Sequence, residues 1–484
     1  MNQHSAPLLE AAQRYLNVAD APFYMPAHKR GQSIDAEFME ILGANIFRLD
    51  LPELPVLEEP IAEAEALAAA AYGSDRTWFL SNGSTCGVQA ILLATCQQGD
   101  KILIGRNCHK SAIAGLVLNG ATPIYLPTEY LPEFDLDLGV SPQTLELFLN
   151  RHPDAKAVML VSPNYFGVCG DLEKMAAIAH AFNIPLLIDA AHGGHLGFHP
   201  QLPISALQAG ADLVVQSTHK MAGSLTQSSM LHLQGDRISS QKVDRALQIL
   251  QSTSPNFLLL VSLDVARRQM VINGKELLTE TLRLSRIARS QLNQIPDLRT
   301  FSQMEVSSLD DTRLTVMTDQ LGMTGFEVDQ YLDSEFDVIS EMPTLTQLVF
   351  SLSIGNRKID IERLVSGFQE LVEAKGKGKM EKGIINYELR IANYQSCLTP
   401  RQAYFANSDR VDLNQAIGRI SAESLCPYPP GIPLVCIGEE ITLEIVEMLR
   451  AILRSGGVVN GASDHALETV LVVRKNSALN SVIV

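Results

Sequence analysis

The stretch Leu213-Val214-Val215-Gln216-Ser217-Thr218-His219-Lys220 carries an apolar run directly into a lysine. A second apolar run, Pro185-Leu186-Leu187-Ile188, leads into Asp189. Both runs have the composition of buried strands, and open α/β sheets bind their ligands at the carboxyl ends of such strands. The sequence therefore predicts that Lys220 and Asp189 lie at one edge of a sheet.

A lysine and an aspartate in these positions together indicate pyridoxal phosphate (PLP). This cofactor forms a Schiff base with a lysine amine and needs an anion to keep its pyridine nitrogen protonated. We expect Lys220 to supply the amine and Asp189 the anion, whose ionised form a cationic partner favours. Taken singly, Asp189 is also a typical helix cap and Lys220 an ordinary loop lysine, so this alternative stays open for each residue alone.

A segment rich in small and hydroxylated residues predicts an anion site. Ser81-Asn82-Gly83-Ser84-Thr85-Cys86-Gly87 precedes a helical pattern from Val88 to Thr95. A helix N-terminus with the hydroxyls of Ser84 and Thr85 is suited to a phosphate group, although the segment is also ordinary turn chemistry. It lacks the lysine of a P-loop and the glycine spacing of a dinucleotide site, which disfavours ATP and NAD.

His109 follows another apolar run, Lys101 to Gly105, within Arg106-Asn107-Cys108-His109-Lys110-Ser111. A flat imidazole at a strand end can stack on a cofactor ring, although a histidine at such a junction is more often a cap. Because several such residues converge on one sheet edge, we predict that His109 belongs to the site.

With these segments the chain resembles the PLP-dependent ornithine/lysine/arginine decarboxylases of fold type I, in the short bacterial form without an N-terminal receiver-like domain. The matching segments keep the family's order along most of the chain: Tyr24–Gly31, Ser81–Gly87, Arg106–Ser111, Asp189–His195, Gln216–Lys220, Ser252–Pro255, Ser262–Asp264, Gly418–Glu423 and Pro427–Pro433. The resemblance implies a PLP-dependent transferase-like α/β large domain with a mainly parallel sheet and smaller α+β C-terminal domains. It also implies α-decarboxylation of lysine, arginine or ornithine to the amine and CO₂, in polyamine metabolism.

The resemblance assigns roles to individual residues. Lys220 would hold PLP as a Schiff base, Asp189 would pair with the ring nitrogen, and His109 would stack on the ring. His192 would lie near the cofactor, at a position where relatives vary. The residues implied to contact the phosphate are Ser84, Thr85, Ser217 and His219, joined from a neighbouring subunit by Thr253 and Ser254. The expected assembly is therefore a homodimer or higher homo-oligomer with shared active sites.

Departures from the family pattern concern the choice of substrate. Pro52 replaces the usual threonine in Leu49–Leu54, and Gln402 replaces the acid in Thr399–Tyr404. Cys436–Glu439 resembles a Pro-Gly-Glu segment whose glutamate is associated with the distal amine of the substrate in relatives. The choice among the three amino acids stays open. The candidate carboxylates for the basic group of the substrate are Asp50, Glu53, Glu423 and Glu439.

Composition is typical of a soluble cytoplasmic protein. The 484 residues carry a net charge of −16, and 46% of them are hydrophobic. No apolar run approaches the roughly 20 residues that span a membrane, and the start lacks a signal-peptide pattern. The seven cysteines form no C-x-x-C pair, which favours a reducing compartment. The acidic balance disfavours a nucleic-acid surface.

Alternating strand and helix patterns predict the domain organisation. The strand candidates are Lys101–Gly105, Thr122–Leu126, Ala157–Val161, Leu186–Ile188, Leu213–Val215, Met230–Leu233 and, later, Thr346–Gly355. The helix candidates outside this alternation are Val56–Tyr72 and Ile359–Glu373, and the pattern turns helical from about Gln241 to Gln294. We predict an N-terminal segment (1–55), a PLP-binding large domain (56–295), a small α+β domain (296–374), a charged, glycine-rich linker (375–383) and a C-terminal domain (384–484).

Other functions are compatible with parts of the sequence. An aminotransferase or another lyase of the same fold would share the lysine, and Arg390 is a candidate clamp for a substrate carboxylate. A catalytically inactive regulatory homologue is the alternative of another class, although the joint presence of Lys220, Asp189 and His109 argues against it. The proline-rich stretch Pro427–Pro433 fits either a rigid loop closing over a ligand or a ligand of an SH3-like domain.

A histidine group raises the alternative of a metal site. His192, His195 and His199 lie three and four residues apart. The glycines between them would weaken a helix that placed them on one face, and no H-E-x-x-H motif is present. We therefore expect no metal.

Overall fold

The computed structural model describes residues 1–18, 21–51, 57–375, 397–428 and 431–475. They form two compact units. Unit 1 lies within Met1–Ala94 and Leu187–Thr279, and unit 2 within Thr95–Leu186 and Glu280–Val484.

The described residues contain helices and strands in the following order along the chain. The helices are α1 (Pro7–Leu16), α2 (Ala36–Leu42), α3 (Ala44–Leu49), α4 (Glu58–Tyr72), α5 (Gly83–Thr95), α6 (Lys110–Asn119), α7 (Pro142–Arg151), α8 (Leu172–Ala181), α9 (Thr218–Met221), α10 (Ser240–Leu250), α11 (Phe257–Leu292), α12 (Gly325–Phe336), α13 (Lys358–Lys375), α14 (Pro400–Phe405) and α15 (Leu443–Arg454). The strands are β1 (Arg76–Leu80), β2 (Lys101–Gly105), β3 (Thr122–Leu126), β4 (Glu129–Leu131), β5 (Leu136–Gly139), β6 (Ala157–Val161), β7 (Leu186–Asp189), β8 (Leu213–Gln216), β9 (Ser229–Leu233), β10 (Arg299–Thr300), β11 (Arg313–Met317), β12 (Met342–Pro343), β13 (Gln347–Ser351), β14 (Ser408–Asp412), β15 (Cys426–Tyr428), β16 (Val458–Asn460) and β17 (Thr469–Val473).

The sheet of unit 1 brings three strand ends to one edge. β7 and β8 are parallel, with Asp189 beside Val215. β8 and β1 each pair antiparallel with β9, so β1 runs in the same direction as β8. Every residue of β7, β8 and β9 is buried, as expected for strands that are covered on both faces. The residues that follow Leu80, Asp189 and Gln216 therefore emerge at the same edge.

Helices bury one side of this sheet in an apolar core. Residues of α1, α4, β1, β9 and the first turns of α11 share one apolar core, which includes Leu8, Ala64, Phe79, Met230 and Phe257, all nearly inaccessible. Asp264 and Arg267 form a fully buried ion pair in α11. Asp264 also accepts the Leu8 N–H at 3.0 Å and so anchors α1 to α11.

Unit 2 begins with parallel strands and continues in antiparallel ones. β2 pairs in parallel with both β3 and β6. Further along the chain, β10, β11, β13 and β12 form an antiparallel sheet whose core includes residues of α12 and α13. The last part has two antiparallel pairs, β14 with β17 and β15 with β16, and a core that includes residues of α15.

The predicted fold class is confirmed, with parallel strands and interleaved helices first and smaller α+β regions after them. Three of the predicted strands, β2, β3 and β6, have the predicted bounds, and β7, β8 and β9 differ by one residue. The helical pattern predicted from about residue 241 to 294 is confirmed as two helices, α10 ending at Leu250 and α11 beginning at Phe257. Strand β1 and the β4–β5 hairpin were not predicted.

The predicted domain boundaries stay predictions. The two units meet along the chain at three points inside the predicted 56–295 domain, near residues 94, 186 and 279. Most of the predicted linker lies outside the described residues, as do Arg390 and Glu53.

Candidate active site

Lys220 lies at the shared edge of β7 and β8. After β8 ends at Gln216, Ser217 caps the four-residue helix α9, and the Lys220 N–H donates to the Ser217 carbonyl at 3.0 Å. The Lys220 Nζ lies 3.0 Å from Nε2 of His192, a buried side chain that follows β7. The two residues are 28 positions apart in the chain and meet because their strands are parallel neighbours.

The contact between Lys220 and His192 constrains their charges. Two cations at hydrogen-bonding distance would repel each other in a half-buried setting. The ammonium of Lys220 donating to a neutral imidazole satisfies both groups. His192 is therefore placed to hold, and to accept, a proton of Lys220.

Asp189 is the last residue of β7 and is 4% exposed. Its Oδ1 accepts the Ala191 N–H at 3.1 Å. Burial raises the pKa of Asp189, while the charge of Lys220 and the Ala191 hydrogen bond act against that rise. A buried carboxylate with so little compensation suits a cationic partner such as a protonated pyridine nitrogen, because that partner would stabilise the ionised form.

The predicted phosphate segment forms the start of a helix at the same edge. α5 begins at Gly83, so Ser84 and Thr85 lie in its first turn. The Ser217 Oγ donates to the Ser84 Oγ at 2.8 Å, which joins this turn to the end of β8. A helix N-terminus with several hydroxyls matches the chemistry of a phosphate group.

Gly87 explains how α5 approaches the sheet so closely. A Cβ at this position would lie 2.8 Å from both the Leu80 Cδ1 and the Val215 Cγ1. Glycine therefore lets the helix pack directly on β1 and β8. This packing positions the helix N-terminus at the strand ends.

A hydrogen bond to the backbone, which the local sequence did not predict, orients the His219 ring. Its Nδ1 lies 2.8 Å from the Ser228 carbonyl oxygen and so carries the proton of that hydrogen bond. Burial, and secondarily the charge of Lys220, lowers the pKa of His219. The neutral ring thus presents Nε2 as an acceptor, and it must gain a proton before it can donate to a phosphate oxygen. Its phosphate role stays a prediction.

Thr253 and Ser254 are exposed. They follow Gln251, whose Oε1 accepts the Ser81 N–H at 3.2 Å within the same chain. Their loop therefore lies beside the predicted phosphate segment. The partner-subunit role of Thr253 and Ser254 stays a prediction, and Gln251 is a neighbour of that segment that no sequence signal identified.

His109 lies in unit 2, after the end of β2, and caps α6. Its Nδ1 accepts the Ser111 N–H at 3.2 Å and lies 2.8 Å from the Ser111 Oγ. The cap, which the sequence left open as an alternative, is thus present. It fixes one edge of the imidazole, and the stacking role stays a prediction.

The structure describes three of the four carboxylates predicted to bind the substrate, and each of the three contacts another group of the protein. Asp50 lies 3.1 Å from the His28 Nε2. Glu423 is buried, and its two oxygens accept N–H groups of Ser463 and Leu471 at 2.8 and 2.9 Å. These bonds hold the chain near β17, a structural use that competes with the predicted role of Glu423.

Glu439 is engaged by an arginine that sequence reasoning did not single out. The Arg106 Nη2 donates to its Oε2 at 2.9 Å, and the Cys436 N–H donates to the same oxygen at 2.7 Å. Both side chains of this ion pair are more than nine-tenths buried. Arg106 was quoted only as part of a matching segment, and nothing in the local sequence pointed to a partner 333 positions away. Its charge neutralises Glu439, whose substrate role stays a prediction.

Two features of the described residues bear on the wider class of protein. They contain no group of three or more histidine, cysteine or acidic residues arranged to hold a metal ion. Among their helices, none combines the length and the apolar character that crossing a membrane requires.

Comparison with known proteins identifies the family. The family model described as "Orn/Lys/Arg decarboxylase, major domain" matches residues 6–319, and "Orn/Lys/Arg decarboxylase, C-terminal domain" matches residues 387–461. The chain therefore belongs to the Orn/Lys/Arg decarboxylase family.

Particular relatives agree with this membership. The chain is 35% identical to an arginine decarboxylase of Bacillus subtilis, over 99% of this chain and 100% of that protein. It is 24% identical to the inducible lysine decarboxylase of Escherichia coli, over 93% of this chain and 77% of that protein. In structure it is similar to the constitutive lysine decarboxylase of E. coli, with a TM-score of 0.81 at 20% identity over 98% of this chain and 82% of that one. The predicted family, and with it the predicted class of enzyme, a basic amino-acid decarboxylase, is confirmed.

Proposed function

We propose that this protein is a PLP-dependent decarboxylase that converts L-arginine to agmatine and CO₂. The observation that carries the proposal is the convergence of Lys220, Asp189 and the α5 N-terminus on one edge of unit 1. Arginine is proposed over lysine and ornithine because relatives at 32 to 35% identity over nearly the whole chain are named arginine decarboxylases. The named lysine decarboxylases are 24 to 25% identical.

Each residue of the edge has a part in this function. When bound, PLP supplies an electron sink for the electron pair left on the α-carbon as CO₂ departs. Lys220 provides the amine that holds the cofactor covalently, and Asp189 provides the negative charge opposite its ring nitrogen. Hydroxyl groups of Ser84, Thr85 and Ser217, together with a protonated His219, hold the phosphate. His109 is proposed from family resemblance to stack on the ring.

His192 has a proposed part in moving a proton. It accepts a hydrogen bond from Lys220, so it can take the proton that the lysine must lose before its amine reacts. His192→Phe removes this acceptor and destabilises the ammonium. In the PLP-free variant, Lys220 should therefore react with an amine-directed acylating reagent at lower pH than in the wild type. An unchanged pH profile of that labelling would refute the role.

The guanidinium of the substrate needs a carboxylate whose charge is available. Glu439 is neutralised by Arg106, and both oxygens of Glu423 accept backbone N–H groups. Asp50 pairs with a histidine, which offsets its charge only when that ring is protonated. Among the candidate carboxylates that the structure describes, we therefore propose that Asp50 binds the guanidinium of the substrate. Asp50→Asn should raise KM for arginine more than it lowers kcat.

The reaction is tested with purified, PLP-loaded protein given L-arginine, L-lysine and L-ornithine separately. Release of CO₂ with agmatine from arginine as the main product supports the proposal. Cadaverine or putrescine as the main product would correct the substrate. No CO₂ from any of the three, in protein that binds PLP through Lys220, would favour an aminotransferase or another lyase of this fold.

We also propose a homodimer in which Thr253 and Ser254 act on the phosphate of the partner's site. Lys220→Ala and Ser254→Asp are each expected to be inactive, the second because its charge repels the phosphate. Mixing the two in equal amounts, with subunit exchange, should restore about a quarter of wild-type activity, since half the dimers then carry one intact site. No recovery after proven exchange would place Ser254 in its own subunit's site.

A further inference from the structure

The imidazole of His109 lies between Ser111, two residues further along the chain, and Gly431, which is distant in the sequence. Ser111 holds the Nδ1 edge. Gly431 faces the other edge: a Cβ built there would lie 3.2 Å from the His109 Nε2 and 3.3 Å from its Cδ2. The two neighbours lie beside different ring atoms, Ser111 at Nδ1 and Gly431 at Nε2 and Cδ2, so together they restrict how the ring turns about its Cβ–Cγ bond.

Gly431 is itself held in place by backbone hydrogen bonds. Its carbonyl accepts the Lys110 N–H at 3.1 Å, and its N–H donates to the Pro427 carbonyl at 2.9 Å. Its φ is +90°, a backbone conformation that residues other than glycine rarely adopt. The residue next to His109 in the sequence thus fixes the glycine that faces His109 in space.

Arg106 anchors the segment that follows Gly431. Its guanidinium donates to the Pro433 carbonyl at 2.8 Å and to the Leu434 carbonyl at 3.2 Å. Its Nη2, which donates to Leu434, also pairs with Glu439, and this ion pair helps to fix the guanidinium. Residues 431–434, which we call the Gly431 segment, are therefore attached to the end of β2 on both sides of His109.

We infer that the Gly431 segment positions the His109 ring for the cofactor, with Gly431 as the residue that sets the ring's orientation. The inference rests on the proposed function, in which His109 stacks on PLP. Its physical basis is that neighbours on both sides of the ring, at Nδ1 and at Nε2 with Cδ2, restrict its orientation. A side chain at position 431 would meet the ring at a distance tighter than ordinary van der Waals contact.

Gly431→Ala tests this inference, and Gly456→Ala is its matched control. Gly456 lies in the same C-terminal region with φ of +87°, but a Cβ there meets nothing within 4 Å. Both variants therefore introduce the same backbone strain, and only Gly431→Ala displaces His109. We expect Gly431→Ala to weaken PLP binding by roughly tenfold and to change the visible circular dichroism of bound PLP. Gly456→Ala should leave both unchanged.

The double variant Gly431→Ala/His109→Ala distinguishes an effect on the His109 ring from a general loss of structure. With the imidazole removed, Gly431→Ala has nothing to displace, so it should cause no further loss of PLP affinity beyond that of His109→Ala alone. If Gly431→Ala fails to fold by itself, removal of the imidazole should restore folding, as judged by thermal unfolding. Persistent misfolding of the double variant would contradict the inference.

Two other results would overturn it. Equal PLP affinity and equal dichroism in Gly431→Ala and Gly456→Ala would show that the ring does not depend on Gly431. An undiminished Gly431→Ala effect in the His109→Ala background would show that it acts elsewhere. If the wild type itself binds no PLP through Lys220, the proposed function fails before this test begins.

Discussion

The ends of β7 and β8 and the end of β2 use ionisable groups in opposite ways. At β7 and β8, the Lys220 Nζ contacts the His192 imidazole, and burial raises the pKa of the Asp189 carboxyl group against the opposing charge of Lys220. At β2, Arg106 and Glu439 form a buried ion pair to which backbone groups add hydrogen bonds, while the Glu439 Oε1 has no hydrogen-bond partner among the described residues. The first region keeps its charges for a ligand, whereas the second uses them to hold the protein together. Loss of a charge should therefore reduce chemistry at the first region and stability at the second.

Lys220→Ala should have the largest effect, because it removes the amine that holds the cofactor. Decarboxylation should fall on the order of 10⁴-fold, and the visible absorbance of bound PLP should be lost. Lys242→Ala, which changes an exposed lysine of α10, is the control. Normal CO₂ release from Lys220→Ala would show that this strand end is not the active centre.

Asp189→Asn should come next, since it keeps the shape of the side chain and removes the charge opposite the ring nitrogen. We expect PLP to bind and the rate to fall roughly 10²- to 10³-fold, while the temperature of unfolding changes little. Asp236→Asn, an exposed aspartate of the same unit, is the control. A variant with the wild-type rate would mean that Asp189 serves only to accept the Ala191 N–H.

Glu439→Gln should show the opposite behaviour at β2. It leaves the Arg106 guanidinium buried without a counter-charge, so the free energy of unfolding should fall by about 3 kcal/mol. The neighbouring exposed Glu440→Gln is the control. Urea titrations that give the two variants equal stability would contradict the structural role of the ion pair.

Glu65 extends the comparison with Glu439, because it is a glutamate that is largely shielded from water but has no arginine hydrogen-bonded to it in the described part of the chain. Burial raises its pKa to about 7, with the Phe79 N–H and the charge of Arg76 opposing the rise. The folded state therefore binds this proton more tightly than the unfolded state, and stability falls as pH rises from the usual carboxyl range through the raised pKa. Glu65→Gln should add about 2 kcal/mol at about pH 8 and little at about pH 5.

The outcome for Glu65 is read from urea titrations of the variant and of the exposed control Glu63→Gln. A Glu65→Gln protein whose stability relative to wild type is the same at both pH values would contradict the raised pKa. Glu65→Gln and Glu439→Gln are thus the same chemical change with opposite predicted signs. The sign depends on whether an arginine compensates the buried carboxylate.

Sequence patterns located the chemical groups because those groups directly follow apolar strands. To predict that Lys220 and Asp189 lie at one edge, it was enough to infer that β7 and β8 are parallel neighbours. The six strands predicted for the first half of the chain lie within one residue of their observed bounds for the same reason, since continuous apolar runs mark buried strands. Arg76–Leu80 was missed because its polar first residues interrupt that pattern.

Positioning contacts were beyond the sequence because they join distant segments. Nothing near Arg106 predicts a carboxylate at position 439, and nothing near His109 predicts a glycine at position 431. The tautomer of His219 likewise depends on the Ser228 carbonyl, whose position follows from the turn before β9. Such contacts are set by tertiary packing, which local patterns do not encode.

The central claim is that the cofactor is held at the end of β8, and chemical trapping tests it most directly. The PLP-loaded protein is reduced with borohydride, digested and mapped by mass spectrometry, with Lys242→Ala as the control and Lys220→Ala as the blank. The account predicts one pyridoxyl-modified peptide, carrying the label on Lys220. A label on a different lysine, or equal labelling of Lys220→Ala, would contradict it.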